Sequence, residues 1–282
     1  MVTLIEKAKS FLECGRLSPA AVQSLGDEAN IEELMLGLFP LACSFAAPVL
    51  SGFSVGAIAQ GESGALYFGG NYEFSGSALT QTIHAEQAAV VNAEAHREQG
   101  IVRLAVSSPP CGCCRQFLYE LATASKLKII LPQGPYQDLE EALPGAFGPG
   151  DLGVQAGLLA SEPHDLKKSQ CVAGPGVEEA VASACRSYAP YTSVFGGAAV
   201  VTRDGNVFSS PYLENAAYNP SVSPMQGALI IARLNGYSDT EIESAVVAQI
   251  PSAKVDHFAA ARLITRREGT GLPIEEVMLE YS

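Results

Sequence analysis

The chain has 282 residues, 48% of them apolar and 17% charged, with 30 acidic against 17 basic side chains and a formal net charge of -13 at pH 7. That balance excludes a disordered or low-complexity chain, and the length suits two domains, each able to bury a core. The acidic excess argues against a polyanionic partner, because nucleic-acid affinity rests heavily on phosphate neutralisation by Lys and Arg. A small, weakly charged substrate fits better, and no nucleic-acid partner is expected.

In chain order, residues 1–15 interrupt their apolar positions with Glu6, Lys7 and Lys9, an amphipathic helix pattern without the unbroken apolar stretch of a secretion signal. No run of about 18 apolar residues follows, so no membrane span is expected. Seven cysteines is an odd count, and Cys111, Cys113 and Cys114 cluster; without a signal this reads as metal binding or free thiols in the cytoplasm.

Residues 1–30 read as a small N-terminal helical region, and residues 31–45 as a further apolar-periodic stretch closing near Pro48. From 51 to 68 the pattern becomes strand, Gly-rich turn, strand (GFSVGAIA, QGESG, ALYFG), which predicts a hairpin with Asn71 and Glu73 at its end. Residues 82–99, rich in Ala, Glu and Gln and followed by Gly100, predict a helix with Thr82 as its cap. A buried strand is predicted over 101–106, a turn over 107–110, a helix over 111–124 and a strand over 126–131. The order β-β-α-β-α-β implies a sheet covered by helices, an α/β layered domain.

The stretch from about 132 to 175, rich in Pro and Gly, marks a connection to a second domain. That domain opens with YAPYTSVFGGAAVV, which aligns with AAPVLSGFSVGAIA at a fixed offset of 142, pairing Ala189 with Ala47, Pro190 with Pro48, Ser193 with Ser51, Phe195 with Phe53 and Ala199 with Ala57. The chain therefore reads as internally duplicated. The same offset sets Gln226 opposite His84, Ala228 opposite Glu86, Ala253 opposite Cys111 and Asp256 opposite Cys114, and puts Glu214 one position out of register with Glu73. No His-x-Glu or Cys-x-x-Cys occurs in residues 171–282.

His84, Cys111 and Cys114 form a zinc-ligand set. Zinc takes neutral imidazole and thiolate donors, and a catalytic site uses three protein ligands while leaving a fourth position for water. Cys111 and Cys114 lie three apart, so both sulfurs can face one point from the first turn of a helix. His84 and Glu86 lie two apart, roughly 200° around a helix, and share a direction only at a helix start. Two helix N-termini would then converge on the metal, their positive ends favouring thiolate. Glu86 is placed beside the metal as the proton carrier, accepting from water, delivering to a ring nitrogen and then to the leaving amine. H-x-E with P-C-x-x-C is the general signature of zinc nucleobase deaminases.

FGGNYEF, TIHAEQAAV and SSPPCGCCRQFLYEL together resemble cytidine deaminase, and LPGAFGPGDL, YAPYTSVFGGAAVV and YLENAAYNP resemble its longer, two-domain bacterial form. The resemblance implies a three-layer α/β/α cytidine-deaminase-like fold, duplicated, with the small N-terminal helical region in front. It implies an N-terminal segment 1–30, a catalytic domain 31–150, a linker 151–170 and a degenerate non-catalytic domain 171–282. It further implies one Zn2+ per chain, a nucleoside substrate in pyrimidine salvage and a homodimer. Asn71 and Glu73 would bond the ribose hydroxyls with Tyr72 between them. Phe53 would flank the pyrimidine, Ala85 would present backbone groups to its edge, and Phe147 would reach across the dimer. Arg115 would steady the thiolates.

Two other readings are set beside this one: a zinc deaminase for another amino-heterocycle or a nucleic-acid base, and a zinc-stabilised scaffold protein. Read alone, Asn71 and Glu73 would cap a turn and Phe53 would be core. Cys113 reads as an inert thiol, Cys14, Cys43, Cys171 and Cys185 as buried small residues, and His96 as a surface side chain. His164 and His257 receive no role.

Overall fold

A computed structural model of the chain describes residues 3–26, 30–134, 137–265 and 271–282. They divide into two compact units, Met1–Glu73 with Thr82–Ala160, and Phe74–Gln81 with Ser161–Ser282.

The first unit begins with helix α1 (Leu4–Phe11), opened by a reciprocal cap in which Thr3 Oγ1 accepts from the Glu6 NH and Glu6 accepts from the Thr3 NH. Strand β1 (Arg16–Leu17) and helices α2 (Pro19–Leu25), α3 (Ile31–Gly37) and α4 (Phe39–Cys43) follow. Then come β2 (Gly56–Gly61), β3 (Leu66–Gly70), α5 (Ala85–Ala95), β4 (Ile101–Val106), α6 (Gly112–Leu118), β5 (Lys128–Ile130), β6 (Gln137–Asp138) and α7 (Leu139–Ala142). Among the described residues these strands form one sheet in the order β1-β3-β2-β4-β5-β6, parallel at β4/β5 and antiparallel elsewhere.

Register sorts the faces. Phe68, Ile58, Ala105 and Ile130 are lateral neighbours across four strands and share one core with Ala8, Leu34, Met35 and Leu38 from the N-terminal helices. Alternation turns Ala57, Gly69 and Val106 to the other face, where α5 lies against the hairpin. That face admits close approach because it is small: a Cβ on Gly69 would run into the carbonyl oxygen of Ala85 and the amide nitrogen of Ala89. Helices thus cover both faces of the sheet, and the three-layer expectation holds.

Several boundaries differ from the sequence reading. Residues 1–30 are not wholly helical, since β1 pairs antiparallel with β3 and Leu17, Ala21 and Val22 sit in the same core as Ile58. A two-residue strand has no readable period. Helix α5 is capped at His84 rather than Thr82, and α6 ends at Leu118. The 151–170 stretch is divided: Leu158 bridges Leu121, while Leu166–Lys168 forms a strand of the second unit. Cys14 and Cys171 are exposed rather than buried, and Cys43 and Cys185 are half-buried. His96 is half-buried, its Nδ1 2.9 Å from the Asn92 carbonyl. Among the described residues no helix is long and apolar enough to cross a membrane.

The second unit holds β7 (Leu166–Lys168), α8 (Val177–Ala184), β8 (Gly196–Thr202), β9 (Val207–Pro211), α9 (Pro224–Leu234), β10 (Ile242–Gln249), α10 (His257–Ile264) and β11 (Ile274–Tyr281). Its order β9-β8-β10-β11, parallel only at β10/β11, repeats β3-β2-β4-β5. The repeat is real, but the offset is 141 through the hairpin: Tyr72 bridges Ala47 and Ile83 as Leu213 bridges Tyr188 and Val222. Glu214 is therefore in register with Glu73.

At the next helix the offset falls to 139. His84 and Ser223 each precede an eleven-residue helix, and Gln87 and Gln226 each reach back to accept from the cap NH, at 3.0 and 2.8 Å. Cys111 corresponds to Asp256, the cap of α10. The positions opposite His84, Glu86, Cys111 and Cys114 are thus Ser223, Met225, Asp256 and Ala259, which corrects the fixed-offset pairings. Turns of unequal length defeat a single offset. The second unit still lacks the donor set.

His257 lies on α10, 2% exposed, with Nε2 3.2 Å from the Val194 carbonyl and its ring against Tyr212. Burial holds its imidazole down to about 4. The unfolded chain therefore takes up this proton first. The neutral histidine contributes its full share of stability above pH 6.5, and that share declines as pH falls towards 4, by about 3 kcal/mol. Equilibrium denaturation of wild type and His257→Phe from pH 7 to 4 should show a shallower decline in the variant. Gly69→Ala should lower the urea midpoint without altering the slope, a loss of about 1–3 kcal/mol from overpacking.

Candidate metal centre and substrate cleft

The metal-ligand candidates meet because two helices of the first unit start at one place. Tyr72 and Ile83 exchange both backbone bonds, at 2.8 and 2.9 Å, so the chain re-enters the sheet edge one residue before His84. His84 is extended (φ -84°, ψ 159°), and α5 begins at Ala85. Strand β4 ends at Val106, Pro109 and Pro110 delay the next helix, and Cys111 (φ -72°, ψ 169°) caps α6.

His84 Nδ1 lies 3.5 Å from Cys111 Sγ and 3.2 Å from Cys114 Sγ, and the sulfurs are 3.6 Å apart. Among the described residues these are the donors that converge closely enough to share an ion. Zn–S bonds of about 2.3 Å and Zn–N bonds of about 2.0 Å at tetrahedral angles require donor separations of about 3.5–3.8 Å. Two of the three lie in that range and the His84–Cys114 separation, at 3.2 Å, is slightly short of it, so the set fits zinc with a small side-chain shift. Cys114 is buried, His84 half-buried and Cys111 exposed, leaving an open side for a fourth ligand.

The thiols behave as one acid pair. The hydrogen bond from Cys114 lowers Cys111 to about 5 against its partial burial, helped by the Cys114 NH and His84. The same bond, burial and the Glu86 carboxylate push Cys114 upward. Cys111 is thus the more acidic of the two thiols. Cys113 lies outside the donor set; burial and the Cys111 charge raise its thiol.

Glu86 is 3% exposed and is not one of the converging donors. Burial raises its carboxyl above the usual carboxylate range, outweighing its own NH, His84 and the Cys114 thiol, which favour the charged form. A cleft of about 260 Å³ opens beside it. His84, Ala85, Glu86 and Cys111 line it together with Phe53, Asn71 and Glu73. Ser51, Val55, Thr82, Ser108 and Pro109 complete the lining; none is expected at the site from the sequence, where Thr82 reads only as a helix cap and Ser51 only as a repeat position. Ser51 lay two residues from Phe53, but no pattern marked a serine that works through a hydrogen bond.

Tyr72 does not join them. Strand alternation turns its side chain into the core, where it is 2% exposed. Phe147 lies on another loop, 45% exposed, with its carbonyl accepting from Gln116 Nε2 at 2.7 Å. Phe53 is not core but 61% exposed. The Arg115 guanidinium goes to the carbonyls of Pro110 and Ala142, at 3.0 and 2.8 Å, and so braces the α6 entry rather than the sulfurs. Burial works to raise the Glu73 carboxyl, but the Ser51 hydroxyl and the NH groups of Ser51 and Leu50 outweigh it and hold the group below the usual carboxylate range.

This arrangement of sheet, paired helix starts, donor triad and buried acid is that of the zinc-binding deaminases. The description "Cytidine and deoxycytidylate deaminase zinc-binding region" matches residues 30–130 and again 139–262. A cytidine deaminase of Vibrio atlanticus is 42% identical over 92% of this chain and 88% of its own length. One of Photobacterium profundum is 40% identical over 93% and 88%. A crystal structure of cytidine deaminase from Mycobacterium tuberculosis is 30% identical and covers 44% of this chain and 99% of its own, at a TM-score of 0.38. The chain belongs to the cytidine deaminase family, and zinc is its cofactor.

Cys114→Ser should lose the metal through dialysis while wild type keeps it. Glu86→Ala should retain zinc at the wild-type ratio, as measured by elemental analysis of both variants.

Proposed function

We propose that this chain hydrolyses cytidine and 2'-deoxycytidine to uridine and 2'-deoxyuridine with release of ammonia, as a step of pyrimidine salvage. The observation that carries the reading is the buried Glu86 carboxyl beside an open three-donor site, in a cleft also lined by an amide and a carboxylate, Asn71 and Glu73.

His84, Cys111 and Cys114 hold one zinc ion per chain. Bound there, zinc supplies the Lewis acidity that makes water a nucleophile near neutral pH. Glu86 takes the proton released as water attacks the amino-bearing ring carbon and passes it to the adjacent ring nitrogen, then takes the second proton from the new hydroxyl and delivers it to the departing amino group. The ring keeps the water oxygen as a carbonyl, and nitrogen leaves as ammonia. The Ala85 backbone and Phe53 orient the pyrimidine. Asn71 and Glu73 meet the ribose hydroxyls, favouring a nucleoside over a free base.

Residues 31–150 form the catalytic domain in this reading, with the N-terminal segment 1–30 before it; 151–170 link it to residues 171–282, which perform no chemistry. That division is supported by Ser223, Met225, Asp256 and Ala259 at the positions matching the site. The protein is proposed to act in the cytoplasm as a homodimer, without nucleic acid. The exposed Phe147 ring supports a role across the dimer interface.

Purified protein incubated with cytidine, adenosine, guanine and a cytosine-containing oligonucleotide should release ammonia with cytidine. Turnover of another with none of cytidine overturns the assignment. Glu86→Ala should lower kcat by roughly 10²–10⁴-fold, the usual share of a proton-transferring group. No turnover in zinc-loaded wild type would favour the scaffold reading.

A further inference from the structure

Asn71 and Glu73 devote most of their bonding capacity to protein rather than to the cleft. Glu73 Oε2 accepts from the NH groups of Leu50 and Ser51 at 2.7 and 2.9 Å, and Oε1 accepts from the Ser51 hydroxyl at 2.5 Å. Asn71 Nδ2 approaches the same Oε1 at 3.5 Å, so all of the carboxylate's roughly four acceptor positions meet protein donors, and this longest contact is the one a ligand hydroxyl would displace. Asn71 Oδ1 accepts from the Val55 NH at 2.8 Å, and its Nδ2 donates to the Phe53 carbonyl at 3.0 Å. The Phe53 NH donates to Ser51 Oγ at 3.1 Å. Phe53 is thus gripped at both backbone groups, and the loop carrying it has little packing of its own: Ser51, Gly52, Phe53 and Ser54 are all exposed. The hydrogen bonds hold it.

The second unit separates this task from substrate binding. Glu214 Oε2 accepts from the NH groups of Tyr191 and Thr192 at 2.8 and 3.2 Å, Oε1 accepts from Thr192 Oγ1 at 2.7 Å, and the Val194 NH donates to Thr192 Oγ1 at 3.2 Å. This is the Glu73–Ser51–Phe53 pattern position for position. Here Tyr212 stands where Asn71 would, and its hydroxyl lies 3.5 Å from Glu214. The carboxylate–hydroxyl–amide relay persists where no metal donors are present, so loop holding is a task it performs in its own right.

We propose that Ser51 is a substrate-positioning residue: its hydroxyl, bridging the Glu73 carboxylate and the Phe53 NH, fixes the loop that sets Phe53 against the pyrimidine and holds the Glu73 carboxylate in place for the sugar. This rests on the cytidine deaminase reading for the identity of the ligand, though not for the relay. Threonine preserves the oxygen, as Thr192 does. Alanine removes it and leaves Glu73 with a vacant acceptor. The relay in the second unit is backed by packing, since Val194 is 2% exposed.

The test compares zinc-loaded wild type, Ser51→Ala, Ser51→Thr and Thr192→Ala by cytidine kinetics and by amide hydrogen exchange over residues 50–55. Ser51→Ala should raise the KM for cytidine about tenfold with kcat within twofold, and should lose exchange protection at Leu50, Ser51 and Phe53. Ser51→Thr should restore both, and Thr192→Ala should leave KM unchanged. An unchanged KM and unchanged protection in Ser51→Ala, failure of threonine to restore them, or an equal KM rise in Thr192→Ala would each overturn the proposal. If wild type does not turn over cytidine at all, the functional reading fails, and the exchange data alone decide the relay.

Discussion

The site depends on how closely helix α5 lies on the hairpin beneath it. Glycine at position 69 lets the helix backbone touch the strand, so the first turn of α5 is seated at a fixed height above the sheet. Gln87 then fixes where that turn begins, by closing the cap on the His84 NH at 3.0 Å. With the start of the helix set in both height and register, the imidazole has one place to go, and Glu86 is carried into the buried side two residues on. The thiols arrive independently, from a helix that two prolines delay. Three donors within 4.8 Å of one another therefore follow from backbone placement rather than from side-chain reach.

The two units show which parts of this arrangement serve the fold. The glutamine cap recurs as Gln226, the carboxylate clasp recurs as Glu214, and Gly56, where a Cβ would run into Ala42 and Cys43, has its counterpart in Gly197, where a Cβ would run into the Ala180 carbonyl. What does not recur is the donor set, the acid and the close-approach glycine beneath the donor helix, since Ser210 stands where Gly69 would. Features common to both are best explained by packing and hydrogen bonding that any copy of this fold must satisfy. Those in one alone are explained by chemistry.

The centre itself was legible in sequence because its chemistry sits at short spacings: two residues from His84 to Glu86 and three between the cysteines, each next to a helix start with its own signals. The long strands were legible from alternation, and 101–106 holds to the residue. What escaped was whatever depends on partners distant in sequence. The two-residue β1 owes its existence to β3, and Tyr72 faces inward because of the strand bridge that also positions Glu73. The repeat was visible but its pairings were not, because one offset cannot follow turns of unequal length.

Asp256 has a consequence of its own. At the head of α10 it accepts from the NH groups of Phe258 and Ala259, at 3.0 and 3.1 Å, in the place where Cys111 heads α6. Both positions put an acidic group against the positive end of a helix. One is a sulfur that can also bind an external cation; the other is a carboxylate whose Oδ1 is taken up by two amides of its own chain. The second unit thus closes its helix start with a side chain bonded to the chain's own amides, whereas the first unit gives the same place to a donor that converges with two others.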